Sequence, residues 1–216
     1  MRNSVHSRGF TLVELLTTIA IVGILASFAI PNMRTFLQNN RLAASGNDLL
    51  HAIQVARTEA IKRQGINPAT GLPVSGSVSV CATADSTVAD ASLTCNNGTF
   101  SQWFIFYDVN NDGQHATDGT EPVLGRGAVN TSLTVKTTAS SGILCYGPSG
   151  FQNVSCGTTT PTRAVVMCDA RGNQAIGLNS TARALIIAPT GRSRISALLT
   201  DVNAALTSIG VSATCP

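Results

Sequence analysis

Between Phe10 and Ile30 the chain is apolar at nearly every position, interrupted by one charge, Glu14, and by Thr11, Thr17, Thr18 and Ser27. At the helical rise these residues span ~31 Å, about the thickness of a bilayer's hydrocarbon core, so they predict a transmembrane helix over 10–30. Residues 1–9 read as a short leader whose Arg2 and Arg8 hold that end in the cytoplasm. The run ends in Ser27-Phe28-Ala29-Ile30-Pro31 and passes directly into a second helical pattern, so it lacks the cleavage site that follows an ordinary secretory signal. Leu37, Leu42, Leu49, Leu50, Ile53, Val55 and Ile61 recur at three- and four-residue steps. They predict an amphipathic continuation over 31–65, weakened in the middle by Ser45 and Gly46 and closed by Gly65, with Pro68 beyond.

From residue 77 the period changes. Ser77-Val78-Ser79-Val80-Cys81 alternates, and Gln102–Tyr107 is the strongest strand pattern in the chain. Shorter strands are expected at Pro122–Leu124, Ser132–Lys136, Ile143–Cys145, Arg163–Cys168 and Ala184–Ala188, and a helical tail from Ile195 to Ile209. The fold class expected is therefore α+β: a long N-terminal helix packed on antiparallel sheets, with residues 77–216 as one β-rich globular domain.

Composition agrees with a domain outside the cytoplasm. Only 12% of residues are charged, and all six cysteines (Cys81, Cys95, Cys145, Cys156, Cys168, Cys215) lie beyond the anchor. Six cysteines allow fifteen pairings; the pairing expected here is Cys81–Cys95, Cys145–Cys156 and Cys168–Cys215, with a zinc site as the competing use. The net charge of +3 falls to +1 once Arg2 and Arg8 are removed, but its distribution is uneven. Residues 64–125 carry six acids and no Lys or Arg, whereas residues 126–194 carry seven basic residues and the single acid Asp169. Such a split predicts a basic face suited to an anionic partner, unless folding interleaves the two halves.

Catalytic chemistry is absent from the pattern. His6, His51 and His115 have no nucleophile and carboxylate beside them in sequence, His51 and His115 are expected to be solvated, and no phosphate-binding glycine loop occurs. The chain is not expected to be an enzyme or to carry a cofactor. Asp108-Val109-Asn110-Asn111-Asp112-Gly113 matches the start of a calcium loop, but Gly119 stands where the bidentate Glu is needed, so a polar hairpin turn is expected. Trp103 is expected in the core. The cluster that invites a ligand is Pro189-Thr190-Gly191-Arg192-Ser193-Arg194: in extended backbone the two guanidinium groups share a side, and Gly191 would let a phosphate approach. The competing reading is a solvated loop.

Gly9-Phe10-Thr11-Leu12-Val13-Glu14-Leu15 resembles the processing site of type IV pilins and pseudopilins. The resemblance implies that a prepilin peptidase cuts between Gly9 and Phe10 and methylates the new amine. It also implies that Glu14 pairs in a filament with a neighbouring subunit's amino terminus. Pro31 fits the family's bent helix. The later order of features resembles the minor pilins of the FimT/GspH kind: a cysteine strand, an aromatic strand ending in Asp-x-Asn, Cys168-Asp169, then Gly-Arg-x-Arg. In the FimT branch that last motif is associated with DNA binding at the pilus during natural transformation, which by position assigns Gly191, Arg192 and Arg194, with Lys136, Arg126, Arg163, Arg171 and Arg183 widening the patch. The partners implied are double-stranded DNA, other pilin subunits, prepilin peptidase and, before assembly, the bacterial inner membrane, with the domain in the periplasm or on an extracellular pilus. The alternatives are a GspH-like structural pseudopilin of a type II secretion system or a pilus-priming subunit, neither binding DNA, and an adhesin for other polyanions. The Ile143–Pro161 region and the tail after Arg194 depart from the family pattern.

Overall fold

The computed structural model describes residues 9–63, 71, 76–96, 98–138, 142–153, 163–210 and 215. The chain forms two compact units, Met1–Asn40 and Arg41–Pro216, and helix α1 (Leu12–Arg63) contributes to both. The division falls inside the helix, between residues 40 and 41. Gly65, the expected cap, lies outside the described residues.

Helix α1 begins with a reciprocal cap. The Glu14 N–H donates to Thr11 Oγ1 at 3.2 Å, and the Thr11 N–H donates back to the Glu14 carboxylate at 3.0 Å. This is a Thr-x-x-Glu capping box, which satisfies two of the donors a helix start leaves open. Glu14 therefore has a partner in its own chain. Beyond it the large apolar side chains from Leu12 to Ile30 are all exposed, and Pro31 sits within the helix.

In the second unit α1 buries Leu42, Ser45, Gly46, Leu49, Ala52, Ile53, Ala56 and Ala60, a stripe of three- and four-residue steps. Ser45 and Gly46 do not interrupt the helix; they are contact positions. A Cβ on Gly46 would stand 3.2 Å from Ile195, and Ser45 Oγ accepts the Asn130 N–H at 3.2 Å. Small residues there bring strand and helix close.

Two antiparallel sheets share this helix. The first has the order β3 (Val123–Ala128), β2 (Gln102–Asp108), β1 (Ser77–Ala82), β5 (Ile143–Tyr146). In the second, β4 (Thr134–Thr137) pairs β6 (Ala164–Cys168), which pairs β8 (Asn179–Ile187). Strands β7 (Ala175–Ile176) and β9 (Ser193–Leu198) also pair β8, and helix α2 (Leu199–Ile209) follows. The α1 stripe, Val78, Val80, Trp103, Ile105 and Tyr107 of the first sheet, and Val165, Met167, Leu185 and Ile187 of the second make one core. The other face of the second sheet is covered by α2 through Val202, Ala205 and Leu206. The other face of the first sheet is covered where Cys81, Phe104, Phe106, Ile143 and Cys145 pack with Leu93. Strands β1 and β2, like β6, are therefore buried on both faces, and Ser77 and Ser79 are buried although the alternation places them opposite the valines.

One expectation changes: Ile195 and Leu198 lie in β9, because Arg194-Ile195-Ser196 alternates against β8 and α2 starts only at Leu199. The strand expected at Ile143–Cys145 forms, as the edge strand β5 of the first sheet. Disulfides join Cys81 to Cys95 and Cys168 to Cys215, with Cα separations of 5.5 and 6.1 Å. Cys145 is also disulfide-bonded; Cys156, its expected partner, lies outside the described residues.

Candidate functional site

The turn between β8 and β9 is anchored at each corner. The Gly191 N–H donates to Ala188 O at 2.9 Å, the Ala188 N–H to Arg192 O at 2.8 Å, and the Gln152 N–H to Pro189 O at 3.2 Å. Gly191 is buried with φ 79°, and a Cβ there would run into the Gly150 carbonyl and stand 3.0 Å from Tyr146 Cε1. Arg57 of α1 donates from Nε to that same Gly150 carbonyl at 2.9 Å. Gly191 is thus held by packing against its own chain, with Gly150, Tyr146 and Arg57 where a side chain would stand.

The arginines beside it face outward. Arg192 is exposed, and its side chain has no hydrogen bond or ion pair among the described residues. Arg194, opposite Ile186, has a side chain 59% exposed, and its Nη1 donates to Asp201 at 2.8 Å. Ser196 Oγ donates to the same carboxylate oxygen at 2.6 Å. Hydrogen bonds from Arg194 first and Ser196 second hold the Asp201 carboxyl below its ordinary range. Arg163 and Arg194 line one hollow of about 370 Å³ with Ala164, Ile186 and the α2 residues Ala204, Ala205 and Ser208. Arg192 and Arg194 line an adjoining one of about 230 Å³ with Ile186 and Ala188. Lys136 stands opposite Val166, whose partner Ala184 lies opposite Ser196, so Lys136 belongs to the same face of the sheet three strands away.

Three of the expected cations are not available in this way. Arg126 lies in the other sheet, ion-paired to Asp90 and donating to the Ser86 and Val88 carbonyls at 3.1 and 2.6 Å. Arg171 holds Asp169 through Nε, 3.0 Å from both carboxylate oxygens, and through Nη2 at 2.5 Å. Burial of Asp169 opposes its ionisation, but these contacts outweigh it and keep the carboxyl below the ordinary range. Arg183 is half-buried and turns Nη1 onto the Ser180 and Ala182 carbonyls at 3.0 and 2.9 Å. Internal acceptors have claimed all three, so the patch narrows to Arg163, Arg192 and Arg194 with Lys136 at its margin.

The calcium-like loop is also internally occupied. Asp108 is buried and accepts the Asp112 and Gly113 N–H groups at 3.1 and 2.9 Å, while Glu121 accepts those of Val109 and Ala116 at 3.0 and 2.8 Å. Burial, then the charges of Glu121 and Asp112, push the Asp108 carboxyl up to about 6. Among the described residues no group of three or more His, Cys, Asp or Glu side chains is placed to hold a metal ion. His115, expected in solvent, is buried between the Leu93 and Glu121 carbonyls, each 2.9 Å from a ring nitrogen, with the Phe104 and Phe106 rings edge-on to it. His51 is exposed. Asp201, Ser196 and Arg57 went unnoticed in the sequence. The one signal for Asp201 was an acid in the first turn of the helical tail.

Comparison with known proteins places these features. Residues 5–30 match the prokaryotic N-terminal methylation motif, and residues 45–191 match the family model of the type II transport protein GspH. The chain is 37% identical over 70 residues to the type IV major fimbrial protein FimA of Dichelobacter nodosus, and equally to a fimbrial protein of that organism. That stretch is 30% of this chain and 43% of each relative, so the match spans less than half the length of those relatives. A crystal structure of the type IV minor pilin FimU of Pseudomonas aeruginosa superposes with a TM-score of 0.48 at 19% identity, covering 74% of this chain and 92% of that one. The apolar N-terminal helix and the prepilin motif fit anchoring in the inner membrane and exposure of the domain in the periplasm or on a pilus. The GspH match covers well over half of the chain, which therefore belongs to the GspH family of minor type IV pilins and pseudopilins.

Proposed function

We propose that this chain is a minor type IV pilin that enters a pilus and binds extracellular DNA, without sequence preference, for uptake in natural transformation. Prepilin peptidase cuts between Gly9 and Phe10, and Glu14 of the mature helix faces a neighbour's amino terminus in the filament. Phosphates are held by Arg192 and Arg194, with Arg163 beside them. The observation that carries this reading is Arg192: an exposed guanidinium with no internal partner among the described residues, next to two further exposed arginines around one pair of hollows. Guanidinium groups suit phosphate because their planar donors pair with its oxygens bidentately. A single such site binds non-specifically in roughly the 10⁻⁴–10⁻⁶ M range, and several copies on one fibre raise the avidity.

A second reading has its own support. The Arg194–Asp201 ion pair already balances one motif arginine, as expected of a structural pseudopilin or pilus-priming subunit whose arginines serve the fold. Titration of the full-length protein in detergent micelles with duplex DNA separates the two. The DNA-binding reading expects Arg192→Gln plus Arg194→Gln to weaken a measurable wild-type affinity strongly, leaving only the residual binding of the remaining cations. Equal binding by both proteins, or none by either, favours the structural reading.

A further inference from the structure

We infer that Asp201 stands in for the ligand's anion: its carboxylate occupies Arg194 until a polymeric phosphate chain displaces it, and this competition makes the site favour a polymer over free phosphate. The inference rests on the polyanion-binding reading above and adds to it a residue that lowers affinity selectively.

Asp201 is well placed to hold Arg194 and equally well placed to release it. It lies in the first turn of α2, where the helix dipole favours a negative charge, and Ser196 Oγ donates to it at 2.6 Å. Both stabilising contacts persist when Arg194 leaves, so exchange of Arg194 from carboxylate to phosphate strands no buried charge. Arg194 is mostly exposed, while the Asp201 side chain is 25% exposed, so an incoming anion can reach the guanidinium while the carboxylate stays fixed beside it.

The consequences differ for monomer and polymer. A free phosphate in either hollow meets Arg194 and one neighbouring arginine, and must displace Asp201 against like-charge repulsion without help from the third. A nucleic-acid backbone contacts Arg192, whose side chain has no competing internal partner among the described residues, and Arg163 across the adjoining hollow, so the phosphate between them reaches Arg194 at a high effective concentration. The repulsive element therefore penalises the monomer more than the polymer, a use of unfavourable contacts to set selectivity.

The test uses full-length protein in detergent micelles, titrated separately with inorganic phosphate and with short duplex DNA, and followed through arginine side-chain NMR signals. Asp201→Asn is expected to raise phosphate affinity roughly two- to fivefold, the range an exposed ion pair sets, and DNA affinity by less. Asp201→Thr keeps a residue suited to a helix start and is expected to give the same gain where the amide variant folds poorly. Adding Arg194→Gln to either variant is expected to erase the gain, the non-additivity that marks a direct pair. Unchanged phosphate affinity in both Asp201 variants overturns the inference, even if loss of DNA binding in the arginine variant upholds the DNA reading. A phosphate gain in proteins that bind no DNA sustains the competition at Arg194 and removes the nucleic-acid reading.

Discussion

Replacing Gly191 by Ala probes the turn that presents the arginines, and Gly177→Ala is its internal control. Both glycines have positive φ, 79° and 63°, a conformation that costs an alanine about 1–2 kcal/mol. Around Gly177 an added Cβ meets no heavy atom within 4 Å, whereas at Gly191 it strikes the Gly150 carbonyl and lies 3.0 and 3.1 Å from Tyr146 Cε1 and Arg57 Nε. The Gly150 carbonyl cannot yield freely, because it accepts from Arg57 at 2.9 Å. Overpacking of this kind costs about 1–3 kcal/mol beyond the backbone term. Loss of unfolded-state entropy on replacing glycine offsets about 0.4–1 kcal/mol, equally in both variants, so it cancels in the comparison. Gly191→Ala is therefore expected to be less stable than Gly177→Ala by about 1–3 kcal/mol. Urea unfolding of the two variants in detergent, followed by fluorescence of the sole tryptophan, the buried Trp103, measures the difference. Equal unfolding midpoints and slopes would refute the packing role given to Gly191.

Stability should rise as pH falls from about 7 to 5. The Asp108 carboxyl is raised to about 6 from 3.8, so above 6 the fold holds a disfavoured charge, at a cost on the order of 3 kcal/mol that protonation relieves. Below about 4 the trend reverses, because Asp169, held by Arg171, and Glu59, which accepts from Lys62 Nζ at 2.8 Å, sit below their ordinary ranges in the fold and lose these contacts on protonation. Asp108→Asn should flatten the upper limb in thermal melts taken across this range. Cys168→Ser with Cys215→Ser opens a loop with sequence separation 47 and should destabilise by about 4 kcal/mol, against about 3 for the separation of 14 at Cys81–Cys95, read from denaturant midpoints. Glu14→Gln keeps an acceptor for the Thr11 N–H but removes the charge. The variant is expected to be processed and membrane-inserted yet missing from sheared pili, as read by immunoblot, and normal incorporation would remove Glu14 from assembly.

Much of the fold was legible because local chemistry and tertiary demand agree. The apolar run to Ile30, the Gln102–Tyr107 strand and the pairing of Cys81 with Cys95 needed no distant information. The tail did not read correctly because Ile195, Leu198, Leu199 and Val202 fit a helical step, while pairing against β8 decides that the first two are extended. His115 was misplaced since its acceptors, on Leu93 and Glu121, converge only in the folded loop. Ser45 and Gly46 read as weak helix positions, but the helix needs them small for close packing. Within the candidate site, the alternate spacing of Arg192 and Arg194 was visible, and which other cations remain available was not. That depends on acceptors such as Asp90, 36 residues from Arg126, and on Asp201, whose partnership with Arg194 no spacing rule announces.

The salt dependence of duplex DNA binding tests the proposed role most directly, since each phosphate contact contributes about 0.9 to the slope of log affinity against log salt. Contacts from Arg163, Arg192 and Arg194 give an expected slope of about −2.7, and Arg192→Gln with Arg194→Gln should reduce its magnitude by about 1.8. Arg126→Gln, in the other sheet, should leave it unchanged. A slope unaltered by the double substitution, or altered as much by Arg126→Gln, would contradict the claim that these arginines hold the DNA.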